Sequence, residues 1–128
     1  MNIKGIHHIE LTVTDLQRSK DFYSQILGFK IVANHPNFIM FFNKNFYLGI
    51  ADHTDRNVRN KFNEFNIGLD HIAFEVPNKS DLEDAIKLFD DKRIAHGEIQ
   101  KLSNNVLVLA FRDPDNIQLE LSWKEKQI

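Results

Sequence analysis

Gly68-Leu69-Asp70-His71-Ile72-Ala73-Phe74-Glu75-Val76 decides how this chain is read. Apolar and other residues alternate along it with a period of two, which predicts a strand. Ile72, Phe74 and Val76 point one way; His71, Ala73 and Glu75 point the other. A nearly matching stretch stands near the start of the chain, His8-Ile9-Glu10-Leu11-Thr12-Val13. Each copy puts a histidine first on its less apolar face. The chain therefore reads as two copies of one module facing each other across a site.

The residues that follow each copy repeat in the same order. After a first strand over 3–13, Thr14-Asp15-Leu16-Gln17 matches a capping box with Thr14 as the cap, so a helix is expected there. Leu16, Phe22, Tyr23, Ile26 and Leu27 give that helix an apolar stripe, and Gly28 suits a left-handed stop. Strands are expected at 29–34, 38–42 and 46–51, with Asn43-Lys44-Asn45 turning the last two into a hairpin. In the second copy the strand 70–76 ends at Pro77. Ser80-Asp81-Leu82-Glu83 is a second capping box, and Leu82, Ala85, Ile86 and Phe89 follow at helical spacing. Strands are expected at 97–102, 106–112 and 117–123, the last two separated by Asp113-Pro114-Asp115-Asn116, a good turn sequence. In the final strand Ile117, Leu119, Leu121 and Trp123 face the core, while Gln118, Glu120 and Ser122 face the other way.

The reading is an α+β fold of two βαβββ modules in one domain, 1–128. Module one covers about 1–51, a polar connection about 52–67, and module two about 68–128. Phe62 and Phe65 are expected to pin the connection, which could otherwise move at the edge of the site.

Composition narrows the function classes. With 42% hydrophobic and 27% charged residues the chain is globular. A net charge of −2 gives no electrostatic case for nucleic acid or an anionic membrane. No apolar run is long enough to span a bilayer, and no signal-peptide pattern opens the chain. The absence of cysteine removes disulfides and zinc–thiolate sites and fits a cytoplasmic location. The 11 Phe residues serve bulky core packing first and an aromatic pocket second.

His8 and His71 occupy equivalent places in the two copies, and Glu120 lies on the non-core face of the last strand. If the two sheets curve toward each other, these three side chains converge. Two imidazoles and one carboxylate would hold a divalent metal ion and leave coordination positions open for chemistry. Without sulfur in the set, Mn, Fe, Ni, Co or Zn all suit it. Glu10, two residues after His8 on the same face, is the candidate catalytic base, with a role as extra ligand as the alternative. Thr12, Tyr47, Glu75 and Gln118 are candidates to line the same cavity. His7 is expected on the opposite face from His8; His35, His53 and His96 are expected on surface loops. Arg112 and Lys124 read as solvated charges before anion binders.

Ile6-His7-His8-Ile9-Glu10-Leu11-Thr12-Val13-Thr14-Asp15-Leu16, followed by Asp21-Phe22-Tyr23 and Leu27-Gly28-Phe29, resembles the opening of the vicinal oxygen chelate superfamily. Its members include glyoxalase I, extradiol dioxygenases, fosfomycin-modifying enzymes and bleomycin-resistance proteins. Leu69-Asp70-His71-Ile72-Ala73-Phe74 and Phe111-Arg112-Asp113-Pro114-Asp115-Asn116-Ile117-Gln118-Leu119-Glu120-Leu121 resemble its second-module signatures. The resemblance implies an open, barrel-like cup around a metal, with His8, His71 and Glu120 on three ligand positions. The fourth position, an acid in glyoxalase I, falls here on Gly49. A two-His-one-Glu set is similar instead to the extradiol dioxygenases and the fosfomycin thiol transferases. The implied function is a metal-dependent enzyme acting on a small molecule that chelates the metal through adjacent oxygens, by lyase or isomerase chemistry, thiol transfer or dioxygenation. The alternative is a bleomycin-resistance-like protein that sequesters a small molecule without catalysis. The resemblance further implies a homodimer, in which His8 can meet the partner's copies of the other two ligands.

Overall fold

The structure, a computed structural model, describes residues 1–53 and 60–125. Residues 54–59, within the expected connection, lie outside the described residues. The chain divides into two compact units, Met1–Asn60 and Lys61–Ile128. The boundary thus falls inside the stretch read as a connection, and its second half belongs to the second unit.

The first unit runs β1 (His8–Thr12), α1 (Leu16–Asp21), β2 (Lys30–His35), β3 (Phe38–Asn43) and β4 (Phe46–Ala51). Its sheet has the order β1-β4-β3-β2, with β1 parallel to β4 and the other pairs antiparallel. Leu11, Val13, Phe41, Leu48 and Ile50 are buried from the sheet side, and Phe22, Tyr23 and Phe29 from the helical segment. The cap of α1 is Asp15, not Thr14: its carboxylate accepts from the Arg18 backbone N–H at 3.0 Å. An aspartate at this place also suits the positive end of the helix. After Asp21 the helix widens into a π-turn over Phe22–Ile26, where the Leu27 N–H reaches the Phe22 carbonyl. This lets Phe22 and Tyr23, adjacent in sequence, both bury. Gly28, at φ +75, then reverses the chain, and the Phe29 N–H closes on the Tyr23 carbonyl at 2.9 Å.

The second unit repeats the plan with β5 (Ile72–Glu75), α2 (Lys79–Asp91), β6 (Gln100–Lys101), β7 (Val106–Arg112) and β8 (Gln118–Lys124). Its sheet order is β5-β8-β7-β6, with β5 parallel to β8. Helix α2 starts earlier than its Ser-x-x-Glu sequence predicts. Asn78 is the cap, and the Asp81 carboxylate accepts from its backbone N–H at 2.9 Å. Leu82, Ala85 and Phe89 carry the buried stripe against Leu109, Phe111 and Leu119 of the sheet. The turn before β8 is built on Asp113, whose buried carboxylate accepts from the backbone N–H groups of Asp115 (2.8 Å) and Ile117 (2.9 Å).

Each unit is therefore a βαβββ module with a four-stranded mixed sheet, and the fold is α+β as the repeat implied. Among the described residues, no helix is long and apolar enough to cross a membrane.

Candidate metal centre

His71 immediately precedes β5, and Glu120 is on β8, the strand paired in parallel with it. Their side chains meet: His71 Nε2 lies 3.4 Å from Glu120 Oε1. Glu120 is the less exposed of the two, at 19% against 38%. On the other side of the ring, His71 Nδ1 is 2.7 Å from Asp70 Oδ1. An ionised carboxylate can only accept, so Nδ1 carries the hydrogen and donates it. Nε2 is then the ring nitrogen turned to the Glu120 oxygen. Two electron-rich atoms in this position call for a cation between them, a proton or a metal ion. Two ligand atoms each about 2.0–2.1 Å from one tetrahedral ion stand about 3.3 Å apart. The pair therefore fits a divalent metal in both spacing and donor chemistry.

Further hydrogen bonds extend from this pair through the second unit. Gln118 Nε2 donates to Asp70 Oδ1 at 3.0 Å and to the Asp70 carbonyl at 3.2 Å. Arg112 Nη2 is 3.4 Å from Gln118 Oε1 and donates to Glu64 Oε1 at 2.7 Å, while Nη1 donates to Glu64 Oε2 at 2.9 Å. The Arg112 guanidinium and a backbone hydrogen bond lower the Glu64 pKa from 4.5 to about 2. The same pairing raises Arg112 further above its ordinary value. Arg112 is thus neither a solvated charge nor a free anion binder: Glu64, 48 residues away in sequence, occupies it. Glu64 also does the pinning expected of Phe65, which is 89% exposed beyond an Asx turn at Asn63. Phe62 is half-buried, and its carbonyl accepts from Asn116 Nδ2 at 3.0 Å.

In the first unit His8 opens β1 opposite Tyr47. His7 does not turn away from it, because the strand begins only at His8 and alternation does not reach back to residue 7. His7 Nδ1 is 2.9 Å from His8 Nδ1, and the His7 ring stacks on Tyr47 with centroids 5.4 Å apart. Glu10, exposed on the same strand, faces Gly49 across the β1–β4 ladder. In the second unit Ala73, two residues after His71, faces Glu120 across the β5–β8 ladder. The registers therefore place Gly49 at the position of Glu120. A Cβ at Gly49 would stand 3.0 Å from the Phe38 ring and 3.3 Å from Glu10 Cγ. Glu10 occupies part of the room an acid at 49 would need.

Among the described residues no group of three His, Cys, Asp or Glu side chains is gathered as a metal site. His71 and Glu120 are paired within the second unit, and His8 belongs to the first. Thr12 and Glu75 are exposed, while Lys124 ends β8 in solvent. His35 and His53 are exposed, but His35 ends β2 and is not in the expected loop. His96 is not free on the surface: its Nε2 meets Asp90 Oδ1 and its Nδ1 meets the Gly97 carbonyl, both at 2.6 Å. These contacts, Asp90 first, raise its pKa above 6.5. Glu64 carries no local signal in the sequence, because Arg112 lies 48 residues away; Asp70 stands next to His71, but its second partner, Gln118, is equally distant.

A family model for the Glyoxalase/Bleomycin resistance protein/Dioxygenase superfamily matches residues 5–121. MhqA of Bacillus subtilis, by its name a candidate ring-cleaving dioxygenase, is 25% identical over 135 residues. That match takes in 98% of this chain but 42% of MhqA, so the chain spans less than half of that relative's length. The metallothiol transferase FosB of Staphylococcus saprophyticus is 26% identical over 121 residues, covering 93% of this chain and 76% of FosB. The crystal structure of a glyoxylase/bleomycin resistance protein/dioxygenase domain from Frankia sp. superposes with a TM-score of 0.80 at 29% identity. It covers 97% of this chain and 100% of the Frankia domain.

Proposed function

This chain belongs to the Glyoxalase/Bleomycin resistance protein/Dioxygenase superfamily, and from that membership we propose that it is a metal-dependent enzyme acting on a small molecule with two adjacent oxygens. The observation that carries the reading is the His71–Glu120 pair, 3.4 Å apart with Nε2 of the ring turned toward the carboxylate while Asp70 holds Nδ1. His71, Glu120 and His8 would hold one divalent ion, of Mn, Fe, Ni, Co or Zn, with His8 coming from the first unit of the same chain or of a second copy. The bound ion would supply Lewis-acid stabilisation of charge developing on a substrate oxygen.

The chain's own residues do the rest. Glu10 takes up a proton from the substrate as general base; Gly49, opposite it, supports this role by leaving the carboxylate room beside the strand. Glu120, largely shielded from water, presents its carboxylate to the His71 ring. The relatives named for ring cleavage and thiol transfer leave the reaction class open among dioxygenation, thiol transfer and lyase or isomerase chemistry. A homodimer and a cytoplasmic location complete the reading; the apolar Phe65, Ile67 and Leu69, exposed in the single chain, support association with a second copy.

The test is metal content of purified, untagged protein after repletion and desalting, beside His71→Ala. About one ion per chain, lost in the variant, is the expected result. No retained ion in the wild-type protein would overturn the metal-enzyme reading and favour sequestration of a small molecule instead.

A further inference from the structure

The strongest tie on His71 comes from a residue outside the proposed ligand set. Asp70 Oδ1 receives two hydrogen bonds, from His71 Nδ1 at 2.7 Å and from Gln118 Nε2 at 3.0 Å. The Gln118 amide can serve Asp70 only with its nitrogen toward that carboxylate, and this puts its oxygen toward Arg112, 3.4 Å away. Arg112 is held in turn by the two-pronged contact with Glu64 and by the Asn116 carbonyl at 3.1 Å. Reversing the Gln118 amide would set two donors against each other at Arg112 and two acceptors at Asp70.

We propose that Asp70 is a positioning residue that fixes His71 with its hydrogen on Nδ1 and its lone pair toward Glu120. Gln118 and the Arg112–Glu64 pair hold Asp70 in place. The first unit repeats the device in a different chemistry, since His7, also the residue before the histidine, meets His8 Nδ1 at 2.9 Å. The inference rests on the metal reading for its consequence but not for its geometry. In general, a partner on the far ring nitrogen sets which tautomer a ligating histidine presents and how the ring is oriented.

The experiment uses the full chain and reads two quantities. The first is the His71 tautomer in metal-free protein, from ring nitrogen chemical shifts. Wild type and Asp70→Asn, whose amide oxygen still accepts, are expected to keep the hydrogen on Nδ1. Asp70→Ala is expected to shift the population toward hydrogen on Nε2, with Gln118→Ala in between. The second is the affinity for Co²⁺ alone, counting only the ion lost in His71→Ala. Asp70→Ala should weaken it about 10–100-fold, and Asp70→Asn by much less. Asp70 is 68% exposed, so these changes spare the core, and thermal melts check the fold. An unchanged His71 tautomer in Asp70→Ala overturns the inference. An intact tautomer response in a protein that binds no Co²⁺ overturns the metal reading and leaves the positioning role standing.

Discussion

In the first unit Glu10 on β1 faces Gly49 on β4; in the second, Ala73 on β5 faces Glu120 on β8. The two ladders have the same strand order and the same parallel pairing. At this matched pair of ladder positions each carries one acid, on opposite strands of the pair. In the second unit the acid crosses to the histidine and meets its ring. In the first, the acid follows the histidine along the same strand, where successive same-face side chains stand about 7 Å apart. A repeated backbone thus supports two different relations between imidazole and carboxylate. One is a close imidazole–carboxylate pair; the other leaves the carboxylate exposed on the strand, where the proposed base role would place it.

The difference can be broken most severely at Glu120. Glu120→Ala is expected to abolish retention of the ion, a loss of affinity above about 100-fold, whereas Glu10→Ala retains it and loses turnover. Metal analysis of both variants after desalting checks this; equal loss in both would make Glu10 a ligand as well. A mixture of His8→Ala and His71→Ala chains separates the two origins of the first histidine. In a dimer that shares its sites, each mixed dimer recovers one intact site of two; in a self-contained chain none is recovered. Co²⁺ titration before and after mixing reads the outcome.

At Gly49 a methyl group already meets the Phe38 ring at 3.0 Å. Gly49→Ala is expected to destabilise by about 1–3 kcal/mol in denaturant melts, and Phe38→Leu in the same chain to restore part of it. The Arg112–Glu64 pair gives a smaller effect with a defined pH window. Because the folded Glu64 pKa is lowered from 4.5 to about 2, its contribution is present above 4.5 and is lost as pH falls toward 2. Glu64→Gln should flatten the acid-side fall of stability over that range and change little near neutral pH slope. The smallest effect belongs to Asp90 and His96. The raised His96 pKa means the contribution is full below 6.5 and fades as pH rises through the raised value. Asp90→Asn is expected to cost about 0.2–1 kcal/mol below that range, by melts at pH 5.5 and pH 9.

Local patterns made much of this legible. The period-two stretches at His8 and Ile72, the apolar stripe of α2 and the turn at Asp113 needed only neighbours in sequence to be recognised. Helix caps were displaced by one or two residues, to Asp15 and Asn78, because several capping residues stood side by side and packing chose among them. His7 escapes the alternation because it precedes β1, which starts at His8 and not at residue 3.

The sequence by itself determined the doubled βαβββ plan, the equivalence of His8 and His71, and the match of Gly49 to Glu120, since all three follow from periodicity and from matching one half of the chain to the other. Only the tertiary structure decided that Glu120 reaches the His71 ring, that Asp70 and Gln118 set that ring's orientation, and that Glu64 claims Arg112. Most of those contacts join residues far apart in the chain, Glu64 with Arg112 and Asp70 with Gln118 each at a separation of 48. Hydrogen bonds are short and directional, so which distant groups meet depends on strand register to within one residue, and no local pattern of residue types carries that information.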